Sequence, residues 1–168
     1  SRVARGKVRL DPERLDVGEV AARAVEVARA KADAKAVRLT AVLPTGPVWA
    51  DADAVRLEQV LGNLLDNAGK YTETGGRVTL AVEADGRAAV VRVRDTGVGI
   101  AADLLPLVFD LYYQCDRSAE LSGGGLGIGL ALVRQLVELH GGTVSAASDG
   151  PGTGAEFTVR LPAAAAGV

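Results

Sequence analysis

The sequence of 168 residues has little sulfur and little histidine. It contains one cysteine, Cys115, one histidine, His140, and no methionine. A single cysteine excludes an internal disulfide, and neither residue is numerous enough for a cysteine- or histidine-based zinc site. The cysteine count is typical of a protein of the reducing cytosol.

A charge excess and a long apolar run are also absent. The 19 Lys and Arg residues and 21 Asp and Glu residues give a formal net charge of -2, which argues against nucleic acids and anionic membranes as partners. No apolar run approaches the roughly 20 residues of a membrane-spanning helix, and no signal peptide opens the sequence. We expect a soluble, cytoplasmic domain without direct membrane contact, whether or not a longer parent chain is anchored.

The patterning predicts one compact domain over residues 17–162, since a chain of this length can bury a substantial core. Residues 1–16 are predicted to be a tail with a short strand around Gly6 to Leu10, and residues 163–168 a frayed tail. A helical period predicts helices over about 17–34, 54–70 and 127–140. Strands are predicted at 38–44, 47–51, 77–83, 87–95, from 143 onward and 155–161, with a hairpin turn at Asp85-Gly86.

The second predicted helix carries a polar row beside its apolar stripe. In LEQVLGNLLDNAGKYT, Asn63, Asn67 and Lys70 recur at i, i+4 and i+7 and share one face. An amide oxygen can ligate Mg²⁺ and an ammonium can meet phosphate charge, so the row suits a metal–nucleotide complex. A solvated polar face is an equally good interpretation of this helix alone.

An aspartate ends the strand in VVRVRDTGVGI. Asp95 continues the apolar face of Val91 and Val93, so its carboxylate needs strong donors, of which an adenine amino group would be one. Gly97 and Gly99 allow close backbone approach or positive φ. An ordinary turn, with Asp95 bonding local amides, is the alternative.

Five glycines lead into the third predicted helix, in SGGGLGIGLALVRQLVELHGG. Glycine is poor at a helix start unless backbone must come close to something. Because a helix N-terminus is an anion site, a triphosphate is the natural candidate ligand. A flexible linker would not continue into so regular an amphipathic helix.

Taken in order, these segments resemble the nucleotide-binding boxes of the superfamily of histidine kinases, gyrase, Hsp90 and MutL. LEQVLGNLLDNAGKYT resembles the asparagine box, DTGVGI and GGLGIGLALVRQLVELHGG the two glycine boxes, and VFDLYYQCDRS the phenylalanine box. The resemblance implies an α/β fold, the Bergerat ATP-binding fold, in which a two-layer sandwich has a mixed sheet with helices on one face. It identifies the chain as similar to the catalytic, ATP-binding domain of a sensor histidine kinase.

The resemblance also implies a role for each matched residue. Asn67 would ligate Mg²⁺, Asp95 would accept the adenine amino group, and the segment between Gly99 and Gly125 would be the ATP lid. The residues implied to bind ATP are Asn63, Asn67, Lys70, Tyr71, Asp95, Gly97, Gly99, Gly125, Leu126, Gly127, Gly129 and Leu130.

Three residues are implied in catalysis: Asn63, Lys70 and Gln114. Asn63 stands where the gyrase, Hsp90 and MutL branch has a glutamate base, so transfer of the γ-phosphoryl group to a histidine is expected instead of hydrolysis. Gln114 stands where many members have an arginine, a pattern similar to hybrid-type kinases, and Arg117 could substitute.

The implied partners are the protein's own dimerisation and phosphoacceptor domain, expected upstream of Ser1, and, indirectly, a response regulator receiver domain. His140 lies at a structural position of the family and is not expected to be the acceptor. A degenerate ATP-binding or interaction module remains the alternative. A dinucleotide-binding fold, with Gly97, Gly99 and Ala102 as G-x-G-x-x-A, is a weaker one.

Overall fold

The computed structural model describes residues 8–110 and 129–164. Over these residues the chain forms three α-helices, seven strands and a short 3-10 helix at Leu105–Leu107. In chain order the helices and strands are β1 (Glu13–Asp16), α1 (Val17–Ala34), β2 (Arg38–Val42), β3 (Trp49–Ala52), α2 (Ala54–Tyr71), β4 (Arg77–Asp85), β5 (Ala88–Asp95), α3 (Gly129–Leu139), β6 (Thr143–Ala147) and β7 (Ala155–Pro162).

Aspartate caps start the first two helices. Asp16 Oδ1 accepts from Gly18 N at 2.9 Å, and Asp53 Oδ1 accepts from Arg56 N at 3.1 Å. Each carboxylate satisfies an amide that the first helical turn leaves without a backbone partner. Both predicted helices are confirmed to within one residue.

Five strands form a mixed sheet in the order β2-β4-β5-β7-β6. β2 is parallel to β4, and all other neighbours are antiparallel. The predicted hairpin of β4 and β5 is confirmed. Because β5 is antiparallel to both of its neighbours, the dinucleotide-binding alternative, which needs a parallel strand at the glycines, is wrong.

All three helices pack on one face of this sheet, which confirms the predicted two-layer α/β architecture. Alternate residues of the central strands, among them Leu80, Val93 and Phe157, form one buried core with helix residues such as Leu61 and Leu136. The period of two along each strand sets this face apart from the opposite, more polar one. None of the described helices is long and apolar enough to cross a membrane.

Two side-by-side helices, α1 and α2, are held at a constant offset of 35 residues. Arg23 pairs with Glu58 and Lys31 with Asp66, each at 2.9 Å. One turn further on, Lys35 Nζ donates to the carbonyls of Gly69 and Lys70. Arg23, Lys31 and Lys35 are spaced by eight and then four residues, which places them on one side of α1 because residues four apart share a side of a helix.

A second, small sheet corrects the prediction for the N-terminal segment. The strand lies at Glu13–Asp16, not around Gly6 to Leu10, of which residues 8–10 form no strand. Its place is fixed by the short partner β3, against which Leu15 pairs with Ala50 and is buried. The alternation of Val8 and Leu10 has no such partner.

The C-terminal tail also begins later than predicted. Ala163 bridges to Ala50 and donates to Arg87 O, and Ala164 N donates to Trp49 O at 2.9 Å. β3 is therefore flanked on one side by β1 and on the other by the residues that follow β7. Residues 165–168 lie outside the described ranges.

Candidate functional site

Asp95, at the end of β5, is buried with 5% of its surface exposed. Its Oδ1 accepts from Gly97 N at 2.9 Å and from Ala155 N at 3.2 Å. Desolvation raises the pKa of Asp95, and the two amide donors oppose this effect without cancelling it. Both of these bonds use Oδ1, so among the described contacts Oδ2 is the oxygen of this carboxylate that accepts neither amide.

The segment after Asp95 is held between α2 and the turn before β7. Val98 N donates to Tyr71 O at 3.0 Å, and Gly152 N donates to Val98 O at 2.7 Å. A Cβ on Gly97 would lie 2.1 Å from Tyr71 O, and Gly99 has a φ of 71°. The glycines are thus required by contact with the protein's own backbone and by a left-handed conformation. The alternative of local amides on Asp95 is correct for one of its two oxygens.

The polar row of α2 approaches the start of α3 at Asn63, the end of the row that is farther from Tyr71. Asn63 Nδ2 donates to Gly129 O at 3.4 Å. Leu130 packs partly buried against the core, whereas Gly129 is exposed. The asparagine thereby ties the first described turn of the glycine-led helix to α2.

Lys70 has a partner that the sequence analysis did not anticipate. Its Nζ lies 3.4 Å from Asp66 Oδ2, while Lys31 Nζ lies 2.9 Å from the other oxygen. Desolvation raises the pKa of Asp66, but the hydrogen bonds and charges of Lys31 and Lys70 outweigh it and hold the pKa below its usual value. An acidic residue at i−4 of a lysine was the available signal.

A groove between α1 and α2 is lined by Lys31, Asp66 and Lys70 together with apolar residues such as Val27 and Leu65. Of the described predicted site residues, Lys70 alone lines this groove. The groove therefore lies on another side of α2 from the asparagines.

Helix α2 joins two groups of predicted residues. Tyr71, Gly97 and Asp95 meet at its C-terminal end, and Asn63 meets Gly129 eight residues earlier. Eight residues span about 12 Å along a helix, a length suited to a ligand with a base at one end and phosphates at the other. Asn67 lies between the two groups and is half-buried.

Several predicted residues fall outside the described ranges, namely Gln114, Arg117, Gly125, Leu126 and Gly127. Their roles stay predictions. Most of the segment proposed as the ATP lid lies there as well.

His140 has both ring nitrogens in use. Nδ1 lies 2.7 Å from Leu136 O, and Nε2 accepts from Asp53 N at 3.1 Å. The first contact is with a carbonyl and the second with an amide, which fits the tautomer whose proton is on Nδ1. This histidine joins the end of α3 to the start of α2.

Comparison with known proteins gives a family match over residues 52–165, to the "histidine kinase-, DNA gyrase B-, and HSP90-like ATPase" family. Among curated proteins, sensor histidine kinase RcsC of Escherichia coli (strain K12) is 44% identical over 119 residues. The match covers 71% of this chain and 12% of that protein. The chain thus spans about an eighth of the length of such relatives.

Solved structures give the same grouping. The mycobacterial sensor histidine kinase MprB is 28% identical with a TM-score of 0.78, and the match covers 91% of this chain and 98% of that one. Full-length ShkA in complex with AMPPNP is 31% identical with a TM-score of 0.85, over 99% of this chain and 34% of that one.

Proposed function

Because this chain belongs to the family of histidine kinase-, DNA gyrase B- and HSP90-like ATPases, we propose that it is the catalytic domain of a sensor histidine kinase. It binds ATP with Mg²⁺ and donates the γ-phosphoryl group to a histidine of a separate dimerisation and phosphoacceptor domain. The observation that carries the proposal is the position of α2, which links a buried carboxylate to the start of a glycine-led helix.

The adenine end of the ligand is proposed to lie at Asp95. Oδ2 is proposed to accept from an exocyclic amino group, while Oδ1 is fixed by the amides of Gly97 and Ala155. A fixed acceptor next to rigid glycine backbone discriminates a base with an amino group from one with a carbonyl oxygen at the same place. ATP is therefore preferred over GTP.

The phosphate end is proposed to lie between the polar row of α2 and the start of α3. Within residues 8–110 and 129–164, no group of three His, Cys, Asp or Glu side chains could hold a metal. This fits Mg²⁺ carried by nucleotide phosphates, because such an ion needs only one or two protein ligands. Asn67 offers an amide oxygen, and Lys70 and Gln114 are proposed to contact the phosphates. When bound, Mg²⁺ neutralises charge on them.

Asn63 favours transfer over hydrolysis. An amide side chain is neutral and cannot take a proton from water, so it cannot serve as a general base. In the transfer, a bond forms between the acceptor imidazole nitrogen and the γ-phosphorus, the bridging P–O bond breaks, and ADP leaves. Because both nitrogens of His140 are engaged, the acceptor is assigned to another domain, and the product histidine would supply a receiver domain.

Two measurements test the proposal in sequence. Calorimetry with ATP and GTP, in Mg²⁺ and in EDTA, should give binding that prefers ATP and weakens without the metal. Labelled ATP should then yield acid-labile phosphate on an added acceptor-helix domain, and none when that domain's histidine is replaced.

Asn67→Ala tests the proposed metal ligand. This variant should weaken Mg²⁺-dependent binding while leaving the circular dichroism spectrum unchanged. ATP binding without transfer, to an acceptor that a related catalytic domain does phosphorylate, would identify a degenerate binding module instead. Absence of ATP binding would overturn the whole proposal.

A further inference from the structure

The ion pair of Lys70 points to a regulatory contact. We propose that Asp66 competes with the nucleotide phosphates for the ammonium of Lys70, and that α1 sets the strength of this competition through Lys31. The inference rests on the proposed function, because it takes Lys70 as a phosphate ligand.

The geometry gives Lys70 two alternative positions. Asp66 and Asn67 are adjacent in sequence, so their side chains leave α2 about 100° apart. Lys70 follows them by one turn and can reach back over either one. In the structure its Nζ lies 3.4 Å from Asp66 Oδ2, on the groove side. Contact with phosphates beside Asn67 therefore requires the ammonium to leave Asp66.

The carboxylate of Asp66 is shared between two cations. Lys31 Nζ lies 2.9 Å from Oδ1, closer than Lys70 Nζ lies to Oδ2. Lys31 thus offsets part of the charge that holds Lys70. Removing Lys31 would leave Lys70 as the one described cation paired with Asp66 and strengthen its attachment.

Helix α1 also fixes the backbone at the same place. Lys35 Nζ donates to Gly69 O at 2.8 Å and to Lys70 O at 3.1 Å. Both ends of Lys70 therefore depend on the position of α1, the ammonium through Asp66 and the carbonyl through Lys35. A shift of α1 along α2 changes the affinity for the nucleotide.

Asp66→Asn is the direct test, with Mg-ATP affinity measured by calorimetry on the full chain. Asp66 and Lys70 are both more than a third exposed, and exposed pairs of this kind correspond to roughly two- to fivefold in affinity. We expect Asp66→Asn to bind more tightly by about that factor. The matched control is Glu58→Gln, which removes the other α1–α2 pair at the same offset and should leave the affinity unchanged.

Lys31→Ala should have the opposite effect, a loss of about twofold, because Asp66 then holds Lys70 alone. Its control is Arg23→Ala, which removes a cation of α1 that contacts Glu58. Equal effects of Lys31→Ala and Arg23→Ala would show a general charge effect and overturn the inference.

A double-mutant cycle with Lys70→Met separates competition from simple repulsion. In the Lys70→Met background Asp66→Asn should no longer raise the affinity. A gain that persists there overturns the inference, as does unchanged affinity in Asp66→Asn with normal binding by the parent chain. Failure of the parent chain to bind ATP refutes the proposed function itself.

Discussion

Asp95 combines a structural role with a proposed ligand-binding role, and one substitution separates the two. In Asp95→Asn the amide oxygen can still accept from Gly97 and Ala155, but an NH₂ group replaces Oδ2 and opposes the donor of adenine. We expect ATP affinity to fall roughly tenfold or more, with an unchanged fold by circular dichroism. Calorimetry that finds the affinity preserved would remove Asp95 from the site.

The pH dependence of the unfolding free energy provides a second test of Asp95. Since the pKa of Asp95 is raised in the folded state, its ionisation opposes folding, and this contribution grows as pH rises from 3.8 through the raised value. Asp95→Asn should therefore be at least as stable as the parent at pH 7. Urea unfolding checks this, and a clear loss of stability at neutral pH would contradict it.

The ionisation of Asp53 should stabilise the fold, whereas that of Asp95 opposes folding. Desolvation raises its pKa, but the amides of Asp11 and Arg56 and the charge of Arg56 outweigh this and lower it. The carboxylate therefore stabilises the fold above pH 3.8, and this stabilisation is lost as pH falls through the lowered value. Asp53→Asn keeps a cap for α2 but cannot accept from Asp11 N, so we expect a loss of about 1 kcal/mol at pH 7.

The prediction for Asp53 is checked by measuring the unfolding free energies of Asp53→Asn and of the parent chain at several pH values. The difference in unfolding free energy between Asp53→Asn and the parent should shrink as the solution is acidified. A difference that is the same at pH 7 and at pH 3 would mean that the contact with Asp11 is not charge-dependent.

At the level of elements, α2 contains two glycines that its role in the site does not require. An added Cβ would meet nothing within 4 Å at Gly62 or at Gly69. Alanine in a helix interior is better than glycine by roughly 0.5–1 kcal/mol. We expect Gly62→Ala and Gly69→Ala each to raise the unfolding free energy by about that amount in urea titrations.

Gly97→Ala is the contrasting variant. Its Cβ would lie 2.1 Å from Tyr71 O, so the contact between α2 and the segment after β5 must open. Overpacking of this kind costs typically 1–3 kcal/mol, and nucleotide affinity should fall with it. If Gly97→Ala were as stable as Gly69→Ala, the close backbone approach would be refuted.

The elements were predictable where a pattern is local. The helical period placed α1 and α2, and alternation around Asp85-Gly86 placed the hairpin of β4 and β5, because both depend on neighbours in sequence. The choice of strand partners was not predictable. β2 pairs with β4 and β3 with β1, across separations that no local pattern encodes, which is why the strand at Leu15 was misplaced.

In the candidate site, too, local patterns could be predicted from the sequence, whereas contacts between separate elements could not. Asn63, Asn67 and Asp95 were predicted from box motifs, whose spacing is local, and the family that these motifs indicated is confirmed. The partner of Lys70 and the double engagement of His140 depend on contacts between separate elements. Proton position on His140, for example, follows from Leu136 O and Asp53 N together.

For the whole molecule, ligand binding should appear as thermal stabilisation. A ligand that binds only the folded state adds about 2.7 kcal/mol at one hundred times its Kd. For a domain of this size that corresponds to an increase in Tm of roughly 5–10 °C. Differential scanning fluorimetry should show this with Mg-ATP and much less with ATP in EDTA or with GTP.

The contacts on both sides of β3 have a mechanical consequence. Ala50 pairs with Leu15 on one side and with Ala163 on the other, so the chain enters and leaves the domain within two strand spacings, about 10 Å. Force transmitted along the polypeptide through those two points loads β3 and its two neighbours first. The five-stranded sheet and the residues proposed to hold the nucleotide lie outside that line of tension.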